Sequence, residues 1–119
     1  MKQEKITVDE RNFIISIGRN AKENWDLIDK ADDFDLWFHI EDMPSAHVVV
    51  QEILNKKVKY ESNKYFGYPK EIIIKCCLYC KIQTKVSKKT SIIYTSISNI
   101  SKGKEVGSVI TKNTRSIKI

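Results

Sequence analysis

The sequence predicts one α+β domain over residues 1–119, built on a small, mostly antiparallel sheet with one short and one longer helix. Three observations point there. A chain of 119 residues with 41% apolar and 30% charged side chains, and with only 4 Gly and 2 Pro, can bury one modest core but not two separate ones. Short β-branched stretches bounded by turn residues recur along it, and they dominate after Thr90. One longer stretch, opening at Pro69, places its apolar residues at helical spacing.

The elements follow in order. Residues 12–18, NFIISIG, read as a strand ended by Gly18. Residues 20–24 are polar and cap-like, and Trp25, Leu27, Ile28 and Ala31 then give a short helical pattern over 25–31. Asp32, Asp33 and Asp35 mark a turn before the aromatic strand LWFHI at 36–40. Residues 41–46, EDMPSA, form a tight connection centred on Pro44, and 47–53 resume as an apolar run that fits either a strand or a helix start. Residues 56–68 read as a loop. Pro69 suits the first position of a helix reaching about Thr84, because the amide it lacks would be unpaired there, although three consecutive isoleucines also favour a strand. Residues 85–89 break the pattern. Strands are expected over 90–100, 106–111 and 116–119, with turns at 102–104 and 112–114, as parts of a small antiparallel sheet. No internal repeat or domain linker interrupts the chain.

Composition narrows the function classes. No apolar run approaches the roughly 20 residues that cross a bilayer, and the first residues lack the apolar stretch of a secretory signal, so a soluble cytoplasmic protein with no membrane partner is expected. Cys76, Cys77 and Cys80 share one predicted helix without a second thiol pair, which argues for packed, reduced thiols rather than zinc, and their odd number argues against a secreted disulfide framework. No metal or other cofactor is expected. Charge is divided unevenly: residues 1–55 carry 6 basic and 12 acidic side chains, and residues 56–119 carry 15 basic and 3 acidic, a net −6 against +12. Such a field attracts phosphates, although a solvated lysine-rich surface fits the same numbers.

Chemistry concentrates at residues 35–48, DLWFHIEDMPSAHV, where Trp37, His39, Ser45 and His47 surround a proline turn. Aromatic and imidazole planes can stack on unpaired bases while their polar edges reach phosphate or ribose. Taken individually, Trp37 and Phe38 fit a core better, because large aromatics are mostly buried. Asp42, Ser45 and His47 supply the residue types of a nucleophilic triad, but two residues apart on an extended chain Ser45 and His47 have no assured hydrogen bond, and neither a nucleophile elbow nor a His-Glu-x-x-His pattern is present. Catalysis is therefore not expected. A second cluster, at residues 18–24, offers Arg19, Asn20 and Lys22 at a turn into a helix, where backbone amides favour anions; a capped, exposed turn is the plainer reading.

Together these segments resemble the NFACT-R domain, found in ribosome quality-control NFACT proteins and in a free-standing branch that carries a coiled coil. The likeness runs through IGRNAKEN at 17–24, DLWFHIEDMPSAHVVV at 35–50, YPKEIIIKCCLYCK at 68–81, IYT at 93–95 and SNISKGKEVGSV at 98–109. Many members have Gly-Ser where this chain has Ser45-Ala46, as in the free-standing branch. The resemblance implies RNA binding, to transfer or ribosomal RNA in the setting of translation or ribosome quality control, with DNA as the alternative for the free-standing branch. It puts Arg19, His39 and His47 on motif positions and Lys81, Lys102 and Lys104 near basic ones. The expected arrangement has second-half lysines holding the nucleic-acid backbone beside a pocket of Arg19, His39 and His47. The sequence ends after the last expected strand, so action alone, on the ribosome or through a partner protein is anticipated. A protein-interaction adaptor is the competing expectation, followed by a hydrolase or nuclease using His39 and His47.

Overall fold

A computed structural model describes residues 1–53 and 67–119, so most of the loop expected over 56–68 lies outside the described residues. Strands β1 (Lys2–Val8) and β2 (Arg11–Ile17) lead to helix α1 (Ala21–Lys30), then β3 (Leu36–Ile40), β4 (Val48–Ile53), helix α2 (Lys70–Thr84) and β5 (Ser91–Ser96). A one-turn 3₁₀ helix (Ile97–Asn99) precedes β6 (Ile100–Lys102), β7 (Val109–Thr111) and β8 (Arg115–Lys118). Among the described residues, six strands form one sheet in the order β1-β2-β4-β3-β5-β8, with every neighbouring pair antiparallel, and β6 pairs with β7 in a separate two-stranded sheet. The α+β expectation holds.

Strand periodicity divides the interior between the two faces of the sheet. Phe13, Ile15 and Ile17 of β2, Phe38 and Ile40 of β3, and Val48 and Val50 of β4 project to one side, where Ile72, Cys76, Cys77 and Cys80 of α2 cover them. The cysteines are thus core residues. Burial pushes the Cys77 thiol up to about 11 and those of Cys76 and Cys80 well above their usual value. The alternate positions Trp37 and Val49 project to the other side, against Leu27 of α1 and Ile97. Because both faces of β4 are covered, its opening Val48-Val49-Val50 is buried throughout, which resolves the ambiguity at 47–53 in favour of a strand.

Several expectations need correction. β1 is a strand the sequence pattern does not announce. α1 begins at Ala21 rather than Trp25, since residues 20–24 supply its cap and first turn. The strand expected over 90–100 is broken at Ile97–Asn99, where the amides of Ile97 and Ser98 donate to the carbonyls of Asp35 and Asp33 at 2.8 and 3.1 Å instead of continuing a ladder. The strand expected over 106–111 is only Val109–Thr111, because Gly107 turns the chain at φ +88°. The last two strands do not form a hairpin: Asn113, at φ +54°, redirects the chain so that β8 pairs with β5.

Candidate functional site

The corner where β2 passes into α1 is built by reciprocal capping. Asn20 Oδ1 accepts from the amide of Glu23 at 2.9 Å, and the Glu23 carboxylate accepts from the amide of Arg19 at 2.9 Å. The same carboxylate takes Nε and Nη2 of Arg19 at 3.0 and 2.8 Å, and this pairing holds its carboxyl well below the usual range. Gly18 is buried against Asn24. Its amide donates to the His47 carbonyl at 2.9 Å, and Asn24 Oδ1 accepts the His47 amide at 3.2 Å, so the start of α1 is tied to the connection between β3 and β4.

Three rings meet beside this corner. Trp37 stacks on His39 with centroids 5.6 Å apart, and His47 stands edge-on to both, at 5.4 Å from Trp37 and 5.0 Å from His39. Trp37 Nε1 donates to His47 Nδ1 at 3.1 Å. Burial lowers the pKa of both imidazoles: that of His47 falls to about 3, with His39 nearby adding to the effect, while a backbone hydrogen bond at Ile40 opposes the shift of His39. Both rings are neutral near pH 7. Ser45 Oγ accepts from the Ile40 amide at 3.0 Å and donates to the Ala46 carbonyl at 3.1 Å, so its proton is engaged within the turn and is not directed at His47.

A cleft of about 660 Å³ opens over these groups. Gly18, Arg19, Asn20 and Ala21 form one wall, His39 and Met43 through His47 the floor, and Gln83 and Thr84 at the end of α2 a further side. The β6–β7 hairpin closes it with Glu105 through Val109, and Gly107 meets the first turn of α1 so closely that an added Cβ would lie 2.8 Å from the Ala21 methyl. Trp25 fastens that hairpin by donating its indole N–H to the Ser108 carbonyl at 2.8 Å.

Of the residues singled out in the sequence, Arg19, Asn20, His39, Ser45 and His47 therefore come together. The others do not line the cleft. Trp37, only 1% exposed, cannot stack on a base and instead backs the two imidazoles. Lys22 pairs with Asp26, Lys81 donates to the Ile119 oxygen at 2.8 Å, and Lys102 pairs with Asp29 at 2.6 Å over the Trp25 ring. Lys104 is exposed on the hairpin turn. Among the described residues, the cleft lining holds one full cation, Arg19, facing one acid, Glu105. The expected convergence of second-half lysines on the imidazoles is not seen there. Sequence reasoning gave no role to Asn24, Thr84 and Gly107: Asn24 stood only as the last residue of the 18–24 cluster, Thr84 as the end of the expected helix and Gly107 within the 98–109 motif segment.

Comparison with known proteins adds independent findings. Residues 5–118 match the family model described as NFACT protein RNA binding domain. A coiled-coil domain-containing protein 25 homolog from Dictyostelium discoideum is 33% identical over 111 residues, covering 89% of this chain and 50% of that protein. Coiled-coil domain-containing protein 25 from Mus musculus is 30% identical over 118 residues, covering 95% of this chain and 53% of that protein. The chain spans about half the length of the curated relatives it matches. The structure of the C-terminal part of the fibronectin/fibrinogen-binding protein from Streptococcus suis superimposes with a TM-score of 0.76 at 22% identity, covering all of this chain and 45% of that one, which is a likeness of fold.

Proposed function

The chain belongs to the NFACT protein RNA binding domain family, and from that premise we propose that it binds RNA through the cleft between α1, the proline turn and the β6–β7 hairpin. The observation that carries this reading is the assembly of Arg19, Asn20, His39, Ser45 and His47 in that one cleft beside the amino end of α1. Donors collected there suit phosphate and ribose oxygens, and the exposed edge of His39 suits a base. The proposed ligand is transfer or ribosomal RNA, in the cytoplasm and in the service of translation or ribosome quality control, in line with the motif resemblance. DNA is the alternative nucleic acid.

The role is binding rather than catalysis. Ser45 spends its proton on Ala46 and His47 spends Nδ1 on Trp37, an arrangement that positions a turn and does not prime a nucleophile. Fluorescence anisotropy with labelled transfer RNA tests the proposal: affinity should fall steeply with salt and drop about tenfold for Arg19→Ala. Salt-insensitive or absent binding would sink it.

One observation favours a second reading as a protein adaptor. Leu78 and Ile82, one turn apart on α2, are 41% and 66% exposed. Capture of a partner from nuclease-treated extract that is abolished by Leu78→Lys, with RNA binding absent, would replace the first reading by this one.

A further inference from the structure

Two independent features share the cleft. The first is the amino end of α1: Asn20 receives the amides of Glu23 and Asn24, whereas those of Ala21 and Lys22 have no hydrogen-bond partner among the described residues. They sit at the positive end of the helix dipole, and Ala21 lines the cleft. A helix end alone says little. The second feature is His47, which is 3% exposed and also lines the cleft. An indole N–H can only donate, so the bond from Trp37 requires His47 Nδ1 to be bare and puts the imidazole proton on Nε2. That Nε2–H has no partner among the described residues, on a residue that lines the cleft. Arg19 adds a third kind of donor, because its pairing with Glu23 uses Nε and Nη2 and Nη1 has no partner among the described residues.

Resting on the RNA-binding reading, we infer that this corner is a receptor for one phosphate group of a nucleotide, held by the amide of Ala21, the Nε2–H of His47 and Nη1 of Arg19. All three are donors, and phosphate oxygens are acceptors. Trp37 is a positioning residue: by fixing the tautomer it makes His47 a donor that needs no protonation. Glu105 on the hairpin wall repels the anion and confines it to the α1 side. The cleft is far larger than a phosphate, leaving room for the attached sugar and base over His39 and Pro44.

The test is ¹⁵N NMR of the full chain titrated with inorganic phosphate at constant ionic strength. The Ala21 amide and His47 Nε2 should shift together and saturate. His47→Phe should weaken phosphate about tenfold, Glu105→Gln should tighten it, and His47→Gln should stay within about threefold of the parent, since its amide can accept from Trp37 and donate to the cleft. Should the phenylalanine variant not fold, the parent titration still decides: shifts that never saturate, or that fall on exposed lysines and spare those two positions, overturn the site. Short RNAs with a 5′-phosphate or a 5′-hydroxyl identify the source, a preference for the former marking a terminal phosphate and equal affinity a backbone one. RNA that binds without moving Ala21 and His47 overturns the phosphate site and leaves the RNA reading intact. Saturable phosphate shifts with no RNA binding do the reverse.

Discussion

Gly18 shows how much one hydrogen atom can decide at the residue scale. A Cβ there would fall 2.0 Å from Asn24 Oδ1, the atom that holds the His47 amide. Gly18→Ala should therefore cost about 1–3 kcal/mol in urea denaturation, and most of that penalty should vanish in an Asn24→Ala background, where the obstructing oxygen is gone. His47 gives a second residue-scale prediction. Its pKa in the folded chain, about 3, lies below the ordinary 6.5, so the unfolded chain binds the extra proton first. The stability this ring contributes is complete above about pH 6.5 and is lost as pH falls toward 3; His39, shifted the same way, adds to the loss. Melting temperature should decline between pH 7 and 5, and His47→Gln should flatten the decline; an unchanged slope would mean that His47 titrates normally. The cluster of Arg19, His39, Ser45 and His47 was legible because its members lie in two short motifs. The roles of Trp37 and the lysines were not, because burial and ion-pair partners such as Asp29 come from distant segments.

At the scale of elements, legibility followed burial. β3, β4 and α2 bury regular faces and were readable from periodicity, whereas β1 reads KQEKITV with only Ile6 and Val8 packed against the core. Seven register pairs with β2 hold it, and pairing of that kind leaves no hydrophobic signature. The fates of β6, β7 and β8 were equally hidden, since β-branched composition marks strands without choosing partners. The β6–β7 hairpin is the element on which the cleft depends. Gly107 combines φ +88° with an approach to Ala21 that excludes a side chain, so Gly107→Ala should lift the hairpin from α1 while sparing the main sheet. Exchange of the Trp25 indole proton should accelerate and RNA affinity should fall, with the melting temperature nearly unchanged. A large drop in melting temperature would instead make the hairpin part of the cooperative core.

Over the whole molecule, the excess positive charge of residues 56–119 and the nearly uncharged cleft have to be reconciled. Four of those lysines, at 56, 57, 59 and 64, lie outside the described residues. Of the remainder, Lys81 and Lys102 are engaged by Ile119 and Asp29, but Lys85, Lys88 and Lys89 stand exposed just beyond the end of α2, whose last residues Gln83 and Thr84 line the cleft. Long-range attraction and local recognition are then separate jobs. On the proposed reading, exposed lysines release counterions wherever a nucleic-acid backbone runs past them, while the cleft selects what it holds. Replacing Lys85, Lys88 and Lys89 together by alanine should lower the slope of log affinity against log salt by about two to three, with little effect on phosphate binding in the cleft. Replacing Lys102 should barely change that slope, because Asp29 already neutralises it, but should loosen the hairpin that it ties to α1. Equal slopes for the two variants would mean that the backbone follows a different path across the surface.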